Sequence, residues 1–259
     1  MNILDELAEH ARERVEEAKA LRPLSLIRRE ATALPGGSFT FEKALAKEGL
    51  SFICECKKAS PSKGLIAPDY PYMKIASDYE QAGADAISVL TEPKWFMGSD
   101  EHLSRIASSV NIPCLRKDFT VDEYMVYEAK LLGASAVLLI CSILSPAQLR
   151  EYLEICEELG LSALTEAHDK EEIETAVSVG SRIIGVNNRD LKDFSVDTHT
   201  AGRLRELVPE GILFVSESGI RDPSDVQEAR LMGADAVLVG EALMRAENRK
   251  EKMRELRGE

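Results

Sequence analysis

Seven polar side chains stand where short apolar runs end: Glu55, Lys57, Lys117, Glu166, Asn187, Arg189 and Glu217. A lysine ammonium can hand a proton to a carbonyl oxygen, and a carboxylate can take one from carbon or oxygen. Within an extended run, side chains alternate faces. Glu55 and Lys57 therefore share one face, and Cys54 and Cys56 the other. With the cysteines under helices, Glu55 and Lys57 point the opposite way. The same reading puts Lys117 on the face of Leu115 and Phe119, and Asn187 on the face of Arg189. Any one of these residues could be an ordinary solvated strand end. Two lysines, three carboxylates, an amide and a guanidinium converging on one mouth carry a desolvation cost that a ligand or a reaction must offset.

Glycines supply a second signal. Glu217-Ser218-Gly219-Ile220 follows one apolar run, and Val239-Gly240-Glu241-Ala242 follows the next. Glycine lets backbone N–H groups approach an anion, and a helix beginning there adds its dipole. Ser60, in Ala59-Ser60-Pro61-Ser62-Lys63-Gly64, is a further donor for phosphate.

The elements that must position these groups follow from periodicity. Eight apolar runs are read as strands: 51–56, 85–90, 113–116, 135–140, 161–165, 182–186, 212–216 and 235–239. Helical patterns lie between them, among them 122–132, 146–159, 170–179 and 223–232. Near-continuous apolar strands alternating with helices predict a parallel sheet covered by helices. Eight such units predict an α/β fold of the closed (β/α)8 TIM-barrel type, which needs about 250 residues and works at the C-terminal ends of its strands. Ala82-Gly83-Ala84-Asp85-Ala86 recurs as Leu132-Gly133-Ala134-Ser135-Ala136 and Met232-Gly233-Ala234-Asp235-Ala236, a helix stop leading into a buried strand. Before the barrel, apolar residues at three- and four-residue steps from Ile3 to Ala18, then 24–34 and 41–47, predict an N-terminal helical extension. The 259 residues are read as one domain, extension 1–50 and barrel 51–259, and the charged stretch after Met244 as a solvated helix end.

Composition narrows the partners. Net charge is −13, so nucleic acid and anionic membrane are disfavoured, while a local basic pocket can still take an anion. Five cysteines are read as reduced thiols of a cytoplasmic protein, and no metal site is expected. No apolar run approaches the ~20 residues of a membrane span, and the N-terminus lacks a signal-peptide pattern. His10, His102, His168 and His199 are read as surface or helix-cap residues, with His168 nearest the site.

Several stretches together resemble the indole-3-glycerol-phosphate synthase family. They are Cys54-Glu-Cys-Lys-Lys-Ala-Ser-Pro-Ser-Lys-Gly64, Leu90-Thr-Glu-Pro93 with Phe96 and Gly98-Ser99, Leu115-Arg-Lys-Asp-Phe119, Thr165-Glu166, Gly185-Val-Asn-Asn-Arg-Asp-Leu191 and Ser216-Glu-Ser-Gly-Ile220. The resemblance implies a carboxy-lyase of tryptophan biosynthesis, closing the ring of 1-(2-carboxyphenylamino)-1-deoxyribulose 5-phosphate with loss of carbon dioxide and water, without a cofactor. It implies Lys117 as general acid and Glu166 as the carboxylate of dehydration. Lys57 meets the substrate carboxylate or acts as a second acid, with Glu55 orienting it; how the two lysines divide the acid roles stays open. Asn187, Arg189 and Glu217 surround the ribulose part. Phe119 and Leu138 flank the aromatic ring, and Ser60, Ser218, Gly219, Gly240 and the backbone of Glu241 hold phosphate. The chain is expected as a monomer or homodimer. Two other readings compete: a phosphoribosylanthranilate isomerase-like barrel, which needs a Cys/Asp pair, and a non-catalytic sugar-phosphate binder. The loop Ala59–Asp69 is a candidate lid.

Overall fold

A computed structural model describes residues 3–189 and 195–259; Asp190 and Leu191 of the Asn-Asn-Arg-Asp-Leu motif lie outside them. Eight parallel strands close into a barrel: β1 Ser51–Cys56, β2 Ala86–Leu90, β3 Cys114–Lys117, β4 Ala136–Ile140, β5 Ser162–Ala167, β6 Ile183–Asn187, β7 Leu213–Glu217 and β8 Ala236–Val239. Each pairs with its sequence neighbours, and β8 closes onto β1 through the register Ser51↔Ala236 to Cys54↔Val239.

Four strands, β3, β5, β6 and β7, run further than the apolar runs that announced them, and the other four end where their runs end. Lys117, Glu166, Asn187 and Glu217 all lie within strands, paired as Leu90↔Lys117, Ile140↔Glu166 and Asn187↔Glu217. Hydropathy stops at the first charge, whereas the backbone ladder continues past it because the neighbouring strand still offers its N–H and C=O groups. The ends of these four strands are thus sheet carrying polar or charged side chains.

Helices α1 Ile3–Leu21, α2 Leu24–Ala33 and α3 Thr40–Leu45 precede the barrel. Leu4, Leu7, Ala8, Ala11 and Val15 form the buried stripe of α1. That helix lies over the loops after β2 and β3. Arg14 donates two hydrogen bonds to Asp118 at 3.2 and 2.7 Å, Lys19 pairs with Asp122, and His10 faces Glu92. At the other end α3 meets the start of β5, where the Glu42 N–H donates to Ser162 Oγ. The extension therefore runs from the mouth of the barrel to its floor.

The outer helices follow in order: α4 Tyr72–Gln81, α5 Asp100–Ala107, α6 Glu123–Leu131, α7 Pro146–Leu159, α8 Lys170–Ser178, α9 His199–Arg205, α10 Pro223–Leu231, α11 Glu241–Arg245 and α12 Arg249–Arg257. Ser145 and Asp222 open α7 and α10 with capping boxes, each followed by proline in the first turn. The repeated Gly83, Gly133 and Gly233 all take positive φ where a helix ends. One expectation is corrected. Helix α12 is not merely a solvated end: Met253 and Leu256 are buried, and Met253 packs against Cys54 behind β1. The charges around them hid an apolar pair at helical spacing. No helix among the described residues is long and apolar enough to cross a membrane.

Candidate active site

A cavity of about 840 Å³ opens at the C-terminal ends of the strands. Every site residue singled out above lines it: Glu55, Lys57, Ser60, Lys117, Phe119, Leu138, Glu166, Asn187, Arg189, Glu217, Ser218, Gly219, Gly240 and Glu241. Ile3 and Leu7 of α1 contribute to its wall. Cys54 and Cys56 do not line it. They are fully buried behind the strand, and burial pushes both thiols well above their ordinary range. The acid–base cysteine that the isomerase reading requires is therefore missing from the mouth.

Lys117 is the hub. Its Nζ donates to Glu166 Oε2 at 2.8 Å and to Glu217 Oε2 at 2.9 Å. Burial alone would drive this lysine toward neutrality. The charges of Glu166, Glu217 and Glu55 outweigh that and hold its ammonium above the ordinary lysine range. The two carboxylates part company. Burial raises both, but Lys117 and His168 bring Glu166 well below the usual carboxylate range. Burial and the negative charge of Glu166 win at Glu217, which is pushed up to about 7. Two acids on one ammonium thus differ widely in proton affinity, the arrangement expected of an acid–base pair. Lys57 pairs with Glu55, two residues before it at the end of β1.

Two glycines make room for these carboxylates. A Cβ on Gly185 would run into Glu217 Oε1, and one on Gly240 into Glu55 Oε1, with Lys57 Nζ at 3.2 Å. In both cases the obstructing atom is the end of a flexible side chain, so alanine displaces a site residue and not the backbone. Gly185→Ala is expected to leave the melting curve nearly in place while turnover falls on the order of 10²-fold, the scale of a misplaced group about 1 Å out of position. Turnover equal to wild type would show that Glu217 does not need that space.

The far side of the cavity differs in character. Ser218 and Gly219 both take positive φ, 63° and 92°, which turns the chain sharply after β7. Asn188 fixes this turn by donating to Ser218 O at 3.0 Å and Ser216 Oγ at 3.3 Å. Lys63, Arg221, Arg245 and Lys252 line the same region, a basic pocket in an acidic chain. Glu241, at the start of α11, is held by Arg245 at 3.0 Å. The loop after β1 folds into a small hairpin in which Ala59–Ser60 pairs with Gly64–Leu65, bringing Lys63 within 3.8 Å of Glu241. Phe96, Phe119 and Leu138 form an apolar wall between this basic end and α1, the two rings 6.1 Å apart.

The family profile described as indole-3-glycerol phosphate synthase matches residues 4–256. The chain belongs to this family. The synthase of that name from Ruminiclostridium cellulolyticum is 54% identical over 257 residues, covering 99% of each chain. That from Endomicrobium trichonymphae is 50% identical over 256 residues, 98% of this chain and 99% of its own. Among solved structures, 3-hexulose-6-phosphate synthase from Salmonella typhimurium matches with a TM-score of 0.63 at 14% identity, over 80% of this chain and 96% of that one. At that identity the likeness is one of fold alone.

Sequence reading passed over three residues that shape the site and undervalued a fourth. Asp118, between Lys117 and Phe119, is 1% exposed and receives Arg14, the Thr91 hydroxyl and the Phe119 N–H. Glu92 is fully buried and accepts the N–H groups of Lys94, Trp95 and Phe96, which sets Phe96 into the wall. Asn188 was overshadowed by its neighbours. His168 is not a bystander: its Nε2 lies 3.3 Å from Glu166 Oε1. Alternation could have flagged Asp118 as facing away from Lys117, but its partner stands 104 residues earlier.

Proposed function

We propose that the chain converts 1-(2-carboxyphenylamino)-1-deoxyribulose 5-phosphate to indole-3-glycerol phosphate, carbon dioxide and water, as a step of tryptophan biosynthesis. The observation that carries the reading is the Lys117 ammonium held between two buried carboxylates, with an apolar wall on one side and a basic, glycine-bearing end on the other. Substrate phosphate would lie at Ser60, Ser218, Gly219, Gly240 and the Glu241 backbone, with the aromatic ring against Phe119 and Leu138. That leaves the ketone near Lys117.

In this reading Lys117 protonates the ketone oxygen as the ring carbon bearing the carboxylate attacks. The new carbon–carbon bond forms, carbon dioxide departs with the ring regaining its electrons, and a hydroxyl is left. A lysine ammonium then protonates that hydroxyl, its C–O bond breaks to release water, and Glu166 takes a proton from the adjacent ring CH2, whose electrons form the new double bond. Lys57 meets the substrate carboxylate or supplies the proton for dehydration, and Glu55 orients it. Asn187, Arg189 and Glu217 bind the ribulose hydroxyls, and Glu217, pushed up to about 7, can return a proton to Lys117. The small phosphorylated molecule is the partner, and five unbridged cysteines fit a cytoplasmic setting. Indole fluorescence appearing on incubation with the substrate tests the assignment. A folded protein that binds the substrate but gives no indole signal is a sugar-phosphate binder, and the reading fails.

A further inference from the structure

We infer that His168 is a positioning residue for this reaction: it makes Glu166, and not Glu217, the ionised partner of Lys117. The kinetic part of the inference rests on the proposed ring closure. The electrostatic part stands on the resting protein alone.

The two carboxylates begin as equals. Both touch Lys117 Nζ, and both side chains are 2% exposed. Neighbouring buried carboxylates repel, so one of them keeps a proton, and the choice falls to whatever else each one meets. Glu166 Oε1 meets His168 Nε2 at 3.3 Å and the Asn187 amide at 3.4 Å. Among the described residues, Glu217 Oε1 is buried without a hydrogen-bond partner. One acid has a second cation beside it, and the other has a bare oxygen that welcomes a proton. The His168–Glu166 approach is a charge contact and not an aligned hydrogen bond, since among the described residues no partner meets Nε2 in hydrogen-bonding geometry.

His168 is itself clamped from behind. Its Nδ1 lies 3.1 Å from Glu172 Oε2, and the same oxygen accepts its backbone N–H at 2.8 Å. Ser142, in the turn after β4, donates to the other oxygen of Glu172. With a carboxylate at each ring nitrogen, only the doubly protonated imidazolium serves both. The groups facing it bear this out. Glu166 comes from β5. Glu172 comes from α8, whose N-cap Asp169 holds the Glu172 N–H at 2.9 Å. Cys141 and Ser142 come from the turn after β4 and add no cation. Lys117 stands beyond Glu166, already matched by two carboxylates. Burial opposes the charge on His168, but Glu166 and Glu172 raise the imidazole to about 10. Glu166 therefore starts as a base and Glu217 as the proton carrier, a division that the pair around Lys117 would not make unaided.

Carboxyl-carbon NMR of Glu166 in the resting protein tests this without substrate, with the signal assigned by Glu166→Gln. In wild type Glu166 is expected to stay ionised through the acidic range, with both ring nitrogens of His168 protonated at pH 8. In His168→Asn, its titration is expected to move up by roughly one pH unit or more. Kinetically, the acid limb of kcat should move up likewise in His168→Asn, while KM stays within about threefold. A neutral His168 at pH 8, or a Glu166 titration equal in wild type and variant, overturns the inference. So does a lowered kcat with an unmoved acid limb, the mark of a merely structural role. If His168→Asn fails to fold, His168→Gln and the wild-type imidazole signal decide. A wild-type protein without ring closure would sink the proposed function and leave the NMR result standing.

Discussion

Lys117→Ala is expected to cut turnover by about 10²–10⁴-fold, the usual contribution of a general acid, while binding of a sugar-phosphate analogue stays nearly unchanged. The separation follows from geometry. Lys117 sits at the end of β3 against Glu166 and Glu217, whereas the anion end is built from the loops after β1, β7 and β8. The fold should survive. Loss of the ammonium leaves two buried carboxylates together, which is costly if both stay ionised, but Glu217 already tends to hold a proton and His168 still faces Glu166. Turnover by indole fluorescence and analogue affinity by calorimetry check the two halves separately. Turnover within about tenfold of wild type would remove Lys117 from the acid role. Loss of analogue binding in step with turnover would place Lys117 in the binding set instead.

Arg14→Ala is expected to cost about 3 kcal/mol, the lower end of the penalty for stripping one partner from a buried ion pair. Asp118 is 1% exposed, and Arg14 supplies both of its charged hydrogen bonds. The Thr91 hydroxyl and Phe119 N–H remain, which is why the lower end applies. For a chain of this size that corresponds to a fall in melting temperature of roughly 6–12 °C. The pH dependence has a definite sign. Burial works to raise Asp118, but Arg14 outweighs it and the carboxyl stands below its ordinary value. Its contribution is therefore complete above the unfolded aspartate value of about 3.9 and is lost as pH falls through the lower folded value. Melts at pH 7 should show the full gap between wild type and Arg14→Ala, and melts below about pH 4 a narrowing one. A gap that is absent at pH 7 would show that α1 adds little to holding the segment between Lys117 and Phe119.

Much of this was legible from residue order. Period-two alternation at Glu55-Cys56-Lys57 correctly separated the mouth from the helical side, because a strand's pleat obliges successive side chains to part. The glycines after β7 and β8, Gly219 and Gly240, marked two of the loops that line the cavity. The ends of β3, β5, β6 and β7 were read too short, since a polar residue interrupts hydropathy without interrupting the ladder. The clamp of α1 was illegible. Arg14 looks like any charge on an amphipathic helix, and nothing local says that Asp118 awaits it. His168 was undervalued for a similar reason: two residues past Glu166, it reads as a helix-cap residue until Glu172 and Glu166 are seen on opposite sides of its ring.

By itself the sequence determined a barrel of eight strand–helix units, a ring of lysines and carboxylates at its mouth, and the family to which that ring belongs. Those rest on local periodicity and residue type, which a linear chain displays directly. Only the tertiary structure decided that Lys117 is shared between Glu166 and Glu217, residues 49 and 100 positions away. Only it decided that the two acids differ in proton affinity. A charge's energy depends on the distance to every other charge and on the water excluded between them, and closing the barrel sets both at once.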